Sequence, residues 1–566
     1  MQTRVAETDR LEGGQREVPT PPVRPRAWLR ALLVTLLFIA LAIVNSNGLA
    51  FRPDSAIGAH GDAFFSVWRL AWVARQVVVD PAHLFDANIF YPEEKTLAYS
   101  DAMLLPAVVL TPLHWWGVSP LLVYNFTLLG AFVLSGLAAY CLVRHLTGST
   151  AAGLLGGVIF AFSPHRLEHF DHLELQFAFW IPLAVLAWHK AIADIGTPFR
   201  QAFDGYLTVA VLTIGQVLSC IYHSVFLITW LAFVTAIWGW RTPVKAVRAG
   251  AVMLLPAMVV LAVYSIPYLE TRKQVGERSE SEVAGYSARP ADFVSAPRNN
   301  LLYGWTDPIG ANERHLFPGA VAVVLVLVGL WRPLDRIGVV HAAGLVLSIV
   351  LALGFNGYLY TWLYEWVLPY RGLRVPARAG ILILLGTAVF AGFGLVRVQA
   401  WLSRLRLSHA IAVGAIALAS TEYLAAPRLV PVDKRMSVWY RWLGTVPDAV
   451  IFEWPVTVPW RLYNMRDVGY MYRSTDHWRP LLNGYSGNYP DSYIEMLLEM
   501  RSFPDTNSIR YLQDRGATIL VVHDVPGSRP SYERAVERLV RDPKVQVIAR
   551  DSDAGSAVMF FRLLPR

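Results

Sequence analysis

Long apolar runs alternate with short basic clusters along most of this chain, and that alternation limits what it can fold into more than any other feature. The first run, 28–49, has roughly the 20 apolar residues that a bilayer-spanning helix needs and follows Arg24 and Arg26, with Arg30 in its first turn. It reads as a retained signal anchor with its amino end inside. Further clusters follow at Arg144 and His145, Lys190 and Arg200, Arg241, Lys245 and Arg248, Arg332 and Arg336, and Arg397, Arg404 and Arg406. Basic residues concentrate in cytoplasmic turns, so these clusters mark one side of a membrane. The intervening returns at 163–176, 219–223, 270–315, 355–378 and after Glu422 mark the other. Spans are expected at 28–49, 120–143, 149–164, 177–193, 203–220, 223–240, 247–268, 316–331, 338–354, 377–396 and 409–424. The apolar stretch 103–117 is short and interrupted by Pro106 and Pro112, so it is expected to lie on the surface or re-enter rather than cross.

Composition agrees. Of 566 residues 55% are hydrophobic and 16% charged, too apolar for a soluble domain of this length. Twenty Trp, 24 Tyr and 26 Phe suit two interfacial belts. The net charge of +8 resides in the turn clusters and forms no basic stripe, which argues against nucleic acid as a partner. Cys141 and Cys220 lie in apolar segments and offer neither a disulfide framework nor a CxxC metal pair.

Three regions are expected. Residues 1–27 are polar and aperiodic and read as a disordered cytoplasmic tail. Residues 28–427 form a polytopic α-helical membrane domain of about 11 transmembrane helices. Residues 428–566 mix polar and apolar positions, with strand-like runs at 449–456, 518–522, 545–549 and 557–563 between helical patterns. They read as an α/β domain, extracytoplasmic by the charge pattern.

Chemistry is concentrated in a few loops. Asp62, in Gly61-Asp62-Ala63-Phe64-Phe65 after the first span, either caps the following helix or serves as a catalytic carboxylate at the membrane surface. The run SPHRLEHFDHLELQ from Ser163 places His165, His169, His172 and Gln176 on one face of an ideal helix, with Asp171 and Glu174 as an i, i+3 pair. Such a face binds a divalent cation, steers a phosphate, or is merely hydrated. Arg371, Arg374 and Arg378 in YRGLRVPAR either grip a lipid-linked phosphate or snorkel to headgroups. Tyr222 and His223 face a cavity or anchor the interface. The loop 270–315 is a binding lid or disordered. In HWRPLLNGYSG, Trp478, Asn483 and Tyr485 have the aromatic faces and polar groups that contact sugars, though such loops also serve as packing.

This order of features resembles the membrane-embedded GT-C glycosyltransferases: an acid early in the first outer loop, two spans, an acidic second outer loop, further spans and an outer globular domain. The motifs SPHRLEHFDHLELQFAFWIPL, YRGLRVPARAG and HWRPLLNGYSG look closer still to uncharacterised bacterial YfhO-like polytopic proteins. There is no Asp-Glu pair at the first site and no WWDYG-like motif in the final third.

The resemblance implies an enzyme of the bacterial cell envelope: a hexosyl- or pentosyltransferase in the inner (cytoplasmic) membrane, with its amino end cytoplasmic. Sugar would pass, with inversion, from a polyprenyl-phosphate donor to an extracytoplasmic glycan, lipid or protein acceptor. Asp62 would be the general base, with Asp171 and Glu174 as accompanying catalytic acids. His169, His172, Gln176, Tyr222, His223, Arg371, Arg374, Arg378, Trp478, Asn483 and Tyr485 would bind substrate. A divalent cation is allowed but not required. A transporter or flippase of lipid-linked saccharides, or a non-catalytic sugar-binding membrane protein, are the alternatives.

Overall fold

In the computed structural model the described residues are 25–193, 199–331, 333–403, 407–433, 436–456, 465–525 and 527–565. Most of the anticipated tail 1–27, and Arg332, Arg404 and Arg406 of the basic clusters, lie outside them. Each of the eleven expected spans falls on a helix. Among the described residues, however, six segments are long and apolar enough to cross a membrane: Ala27–Val44, Pro120–Thr147, Leu173–Ile192, Ile221–Trp238, Pro243–Tyr264 and Pro376–Trp401. The expected count of eleven is corrected accordingly. Thr150–Phe162, Ala320–Leu330, Arg336–Ala352 and Ser408–Glu422 are short helices, and Phe199–Val217, although 19 residues long, carries Arg200 and Asp204. Leu104–Trp115 is a 12-residue helix, about 18 Å long at 1.5 Å per residue, too short to cross the ~30 Å apolar core of a bilayer. The protein is thus a polytopic, largely helical membrane protein.

Glycines set the helix contacts. With no hydrophobic drive between helices inside lipid, close packing of small residues brings them together. The first helix, α1 (Pro25–Val44), inserts Phe38 against Gly136 and Gly157, where an added Cβ would lie 2.6 and 2.4 Å from its ring. The helix Gly380–Trp401 is buried along most of its length. It crosses Ala320–Leu330 so closely that a Cβ at Gly329 or Gly394 would sit 2.0 Å from the partner's carbonyl oxygen.

Two sheets organise the remainder. Strands β1 (Ala56–Gly58) and β2 (Leu429–Pro431) pair antiparallel, tying the segment after α1 to the segment after the last apolar helix. The final region holds a four-stranded sheet of β3 (Ile451–Trp454), β4 (Ile519–His523), β5 (Val545–Asp553) and β6 (Ser556–Leu563), in the order β3-β4-β6-β5. β3 and β4 run parallel, and the other pairs are antiparallel. β5 and β6 form a hairpin through Ala554 and Gly555, both at positive φ, the backbone that a tight two-residue turn requires.

This region is stitched onto the first loop by backbone hydrogen bonds. Phe90 N–H donates to Asn483 O (3.1 Å), Tyr91 N–H to Leu481 O (2.9 Å) and Leu481 N–H to Asn88 O (2.9 Å). Gly484 permits the approach, because a Cβ there would meet the Phe90 ring at 2.5 Å. The helix α2 (Gly61–Val79) runs beneath, with Phe64 edge-on to Tyr472 at 6.0 Å. Through this seam a residue near 485 reaches one near 62.

Candidate functional site

The second polar loop is not one continuous helix. It forms a short helix Pro164–Glu168, a turn, and a second short helix Leu173–Gln176. The single ideal face expected for His165, His169, His172 and Gln176 is therefore broken. The turn folds His172 toward α2, while His169 stays against His165, their ring centroids 5.0 Å apart.

Asp62 lies in the first turn of α2. Its Oδ2 is 3.0 Å from His172 Nε2 and 3.1 Å from His60 Nδ1, and its Oδ1 accepts a 2.9 Å hydrogen bond from Tyr485 OH. Three chain segments far apart in sequence thus meet on one carboxylate, which keeps 23% of its side-chain surface exposed. Burial by itself would raise the Asp62 pKa; the charge and hydrogen bond of His172, followed by those of His60, more than offset this and hold it well below the usual carboxylate value. The same pairing works on His172, where burial acts downward but the Asp62 carboxylate prevails, and its pKa rises to about 9. At neutral pH the two form an ion pair.

Asp171 and Glu174 do not join Asp62 in a shared carboxylate cluster. Asp171 folds over β1, so closely that a Cβ on Gly58 would lie 1.6 Å from its Oδ1. Burial lifts its pKa to about 6. Glu174 is bound to Arg69 of α2 at 2.8 Å, and Arg69 also donates to Ser66 Oγ, Ser100 Oγ and Asp101 O. Burial of a charge is costly unless it is paired and hydrogen-bonded; Arg69, 1% exposed, is paired with Glu174 and bonded through both terminal nitrogens, while its Nε has no partner among the described residues.

The arginine trio separates. Arg371 is exposed and turns back onto the carbonyls of Tyr364 (3.2 Å) and Glu365 (2.7 Å). Arg378 is buried and grips Glu313 Oε2 through Nε (3.0 Å) and Nη2 (2.7 Å). Arg374, 26% exposed, lies between, 3.4 Å from Glu313 Oε1. Its backbone N–H donates to Tyr222 OH (2.7 Å), and the Tyr222 ring carries the Arg378 guanidinium at 4.7 Å. Pro376 breaks the helical spacing that would have kept the three on one face.

Glu313, not singled out from the sequence, is the acid around which this corner is built. It ends the loop 270–315, which is folded rather than disordered. Its N–H donates to Glu168 Oε1 (2.7 Å), and His315 Nδ1 lies 2.6 Å from the same oxygen. A Glu-Arg-His run closing a long polar loop before an apolar helix was the signal available. His60, two residues before Asp62, was equally legible.

A narrow cavity, with room for about one water-sized body, is lined by His165, Arg166, His169, Gln176, His223 and Arg378. Gln176 donates from Nε2 to the His169 carbonyl. His223 is buried, with no hydrogen-bond partner for Nδ1 among the described residues.

Of the aromatic run, Tyr485 alone reaches Asp62. Asn483 is fully buried and holds the Glu453 backbone and Asp467 Oδ1 (3.0 Å), so it serves the fold of the final region rather than a ligand surface. Trp478 packs on Trp72 (5.9 Å) and beneath Arg75 (5.5 Å). Those residues are ten and thirteen positions beyond Asp62 on α2, or about 15–20 Å along the helix.

Comparison with known proteins gives four findings. The solved structure of arabinofuranosyltransferase AftD from Mycobacteria superposes with TM-score 0.60 at 16% identity, covering 96% of this chain and 42% of that one. The chain therefore spans less than half of that relative. ArnT from Cupriavidus metallidurans gives TM-score 0.49 at 12% identity over 94% of this chain and 98% of its own. No curated protein sequence matches. The fold is thus GT-C-like. A family model described as a domain of unknown function, DUF6311, matches residues 28–369, more than half of the chain, and the protein belongs to that family.

Proposed function

We propose that this protein is a membrane glycosyltransferase that moves a sugar from a polyprenyl-phosphate donor to an acceptor hydroxyl, with inversion, and that Asp62 is its general base. The observation that carries the reading is the convergence on Asp62 of His60, His172 and Tyr485, which leaves a charged carboxylate partly open beside the apolar helices. A base must be deprotonated and within hydrogen-bond reach of the proton it takes. The ion pair with His172 keeps Asp62 charged across the physiological range.

In the transfer, the acceptor oxygen attacks the anomeric carbon as its proton passes to Asp62. The bond from that carbon to the phosphate oxygen breaks, and its electron pair leaves with the lipid phosphate. Arg374 is the guanidinium suited to meet that charge, because it is partly exposed whereas Arg378 is committed to Glu313. Asp171 and Glu174 keep the second loop in place rather than touch the sugar. The acceptor face is extracytoplasmic in this reading, following the basic clusters of the opposite turns. AftD, whose fold the chain shares, is named an arabinofuranosyltransferase, which agrees with sugar transfer as the reaction class.

The test is Asp62→Asn in membranes supplied with a labelled polyprenyl-phosphate sugar. Transfer is expected to fall by at least about a hundredfold, the usual contribution of a positioned base. Undiminished transfer removes Asp62 from the chemistry, and lipid movement across the bilayer without transfer turns the reading to a flippase. Cysteine labelling within 270–315 against 397–403 checks the sidedness; equal accessibility from outside overturns it.

A further inference from the structure

We propose that His165, Glu168 and His169 form a binding site for one divalent transition-metal ion of the zinc class, separate from the Asp62 carboxylate. One nitrogen from each imidazole and one carboxylate oxygen of Glu168 lie within 4.8 Å of one another. Modest side-chain rotation brings such a set to the ~2.0–2.2 Å bonds of zinc with nitrogen and oxygen. The residues sit at i, i+3 and i+4 of the short helix Pro164–Glu168 and the residue that caps it, so one turn of backbone supplies all three.

The second observation is what these groups lack. His169 is 3% exposed, yet neither ring nitrogen has a hydrogen-bond partner among the described residues, and Glu168 Oε2 is likewise buried without one. Buried polar atoms are nearly always satisfied, and here His169 Nε2 and Glu168 Oε2 lie 4.0 Å apart, both without a hydrogen-bond partner among the described residues. The remaining atoms are arranged as the outer shell of a metal site is. His165 Nδ1 lies 3.0 Å from the His315 carbonyl oxygen, which can only accept, so the proton is on Nδ1 and Nε2 keeps its lone pair. Glu168 Oε1 is held by His315 Nδ1 and the Glu313 amide, leaving Oε2 free. A backbone carbonyl behind a ligand histidine and donors behind a ligand carboxylate are the partners that fix such ligands.

Two histidines and one glutamate suit zinc with a fourth, open position. The adjoining cavity beside Gln176 and His223 has room for a water-sized occupant. Two arginines also line it. Arg378 is neutralised by Glu313 (2.7 Å), whereas Arg166 is turned onto the carbonyls of Leu175 (2.7 Å) and Gln176 (3.2 Å) and keeps its charge, which the Glu168 carboxylate and the ion's other ligands must outweigh. The ion would pin the turn that carries His172, whose ring lies 5.6 Å from that of His169, toward Asp62. Its role is positioning, and the site does not depend on the transfer reading.

The experiment measures metal directly on the full-length chain in nanodiscs, loaded with zinc sulfate, desalted and analysed by mass spectrometry. About one zinc per chain is expected for the parent and for Asp62→Asn, with at least a tenfold loss in His165→Ala/His169→Ala. Less than a tenth of an equivalent in the parent, or an undiminished content in the double variant, overturns the site. If the double variant elutes as aggregate, cobalt loading of the parent decides. Intense visible bands of a four-coordinate histidine site support the proposal, and the weak spectrum of hydrated cobalt overturns it. Metal content is read without substrate, so a chain that holds zinc but transfers nothing refutes the proposed reaction alone. A chain that transfers without zinc refutes the metal alone.

Discussion

Replacing Arg378 with methionine separates two roles that one arginine at a membrane surface can have. The guanidinium makes two hydrogen bonds to Glu313 Oε2, at 3.0 and 2.7 Å, and the two side chains are 6% and 8% exposed. Removing one partner of a buried pair leaves the other charge desolvated and costs about 3–5 kcal/mol. Arg374 lies 3.4 Å from the other Glu313 oxygen and survives the change, so the lower end, about 3 kcal/mol, is expected. Arg378→Met/Glu313→Gln removes both charges and should recover most of that loss, giving a coupling energy of about 2 kcal/mol or more. Unfolding in mixed micelles titrated with SDS measures each term, and donor KM on the same four proteins measures the other role. If Arg378 holds the lipid phosphate instead, the double variant will be stable yet will keep a raised KM for the donor. A single variant destabilised by less than about 1 kcal/mol, or a double variant no better than the single, refutes the clamp.

The remaining predictions follow from the same contacts. In His172→Gln the charge that lowers the Asp62 pKa is gone and burial raises it, so the acid limb of kcat/KM should move to higher pH; an unmoved limb refutes the pairing. In the parent, the His172 contribution to stability is complete below the unfolded pKa of about 6.5 and is lost as pH rises through about 9, while that of Asp62 is complete above about 4 and is lost as pH falls through its lowered folded value. Thermal midpoints of parent and His172→Gln should therefore differ most between about pH 4 and 6.5. Tyr485→Phe removes the 2.9 Å hydrogen bond to Asp62 and should cost about 1 kcal/mol in the same SDS titration. Gly58→Ala places a methyl 1.6 Å from Asp171 Oδ1 and should destabilise by about 1–3 kcal/mol as that loop shifts. Arg371→Ala, which loses only exposed contacts to its own chain's carbonyls, should stay within about 0.5 kcal/mol and leave transfer unchanged.

Helix positions were legible in the sequence because lipid imposes a local rule: every backbone polar group must be satisfied within its own segment. The eleven apolar runs accordingly became helices at nearly the expected places. The number able to span did not follow, because burial against other helices lets a helix be shorter or more polar than lipid contact would allow. Ala320–Leu330, with 11 residues packed on Gly380–Trp401 through Gly329 and Gly394, is the clearest instance.

The candidate site divides in the same way. Asp62 stood out by its place after the first span, and His172 by its density of charged neighbours; both are local properties. That Tyr485 would bond Asp62 across 423 residues depends on backbone pairing of 88–91 with 481–483, and that Arg378 would belong to Glu313 rather than to a ligand depends on where the loop 270–315 closes. Such pairings are set by which buried charges find partners once the segments have packed, a condition on the assembled chain rather than on any stretch of it. Sequence alone determined the membrane character, the helical segments and the loops that carry charge. Only the tertiary structure decided which of those charges face one another and which remain free to meet a substrate.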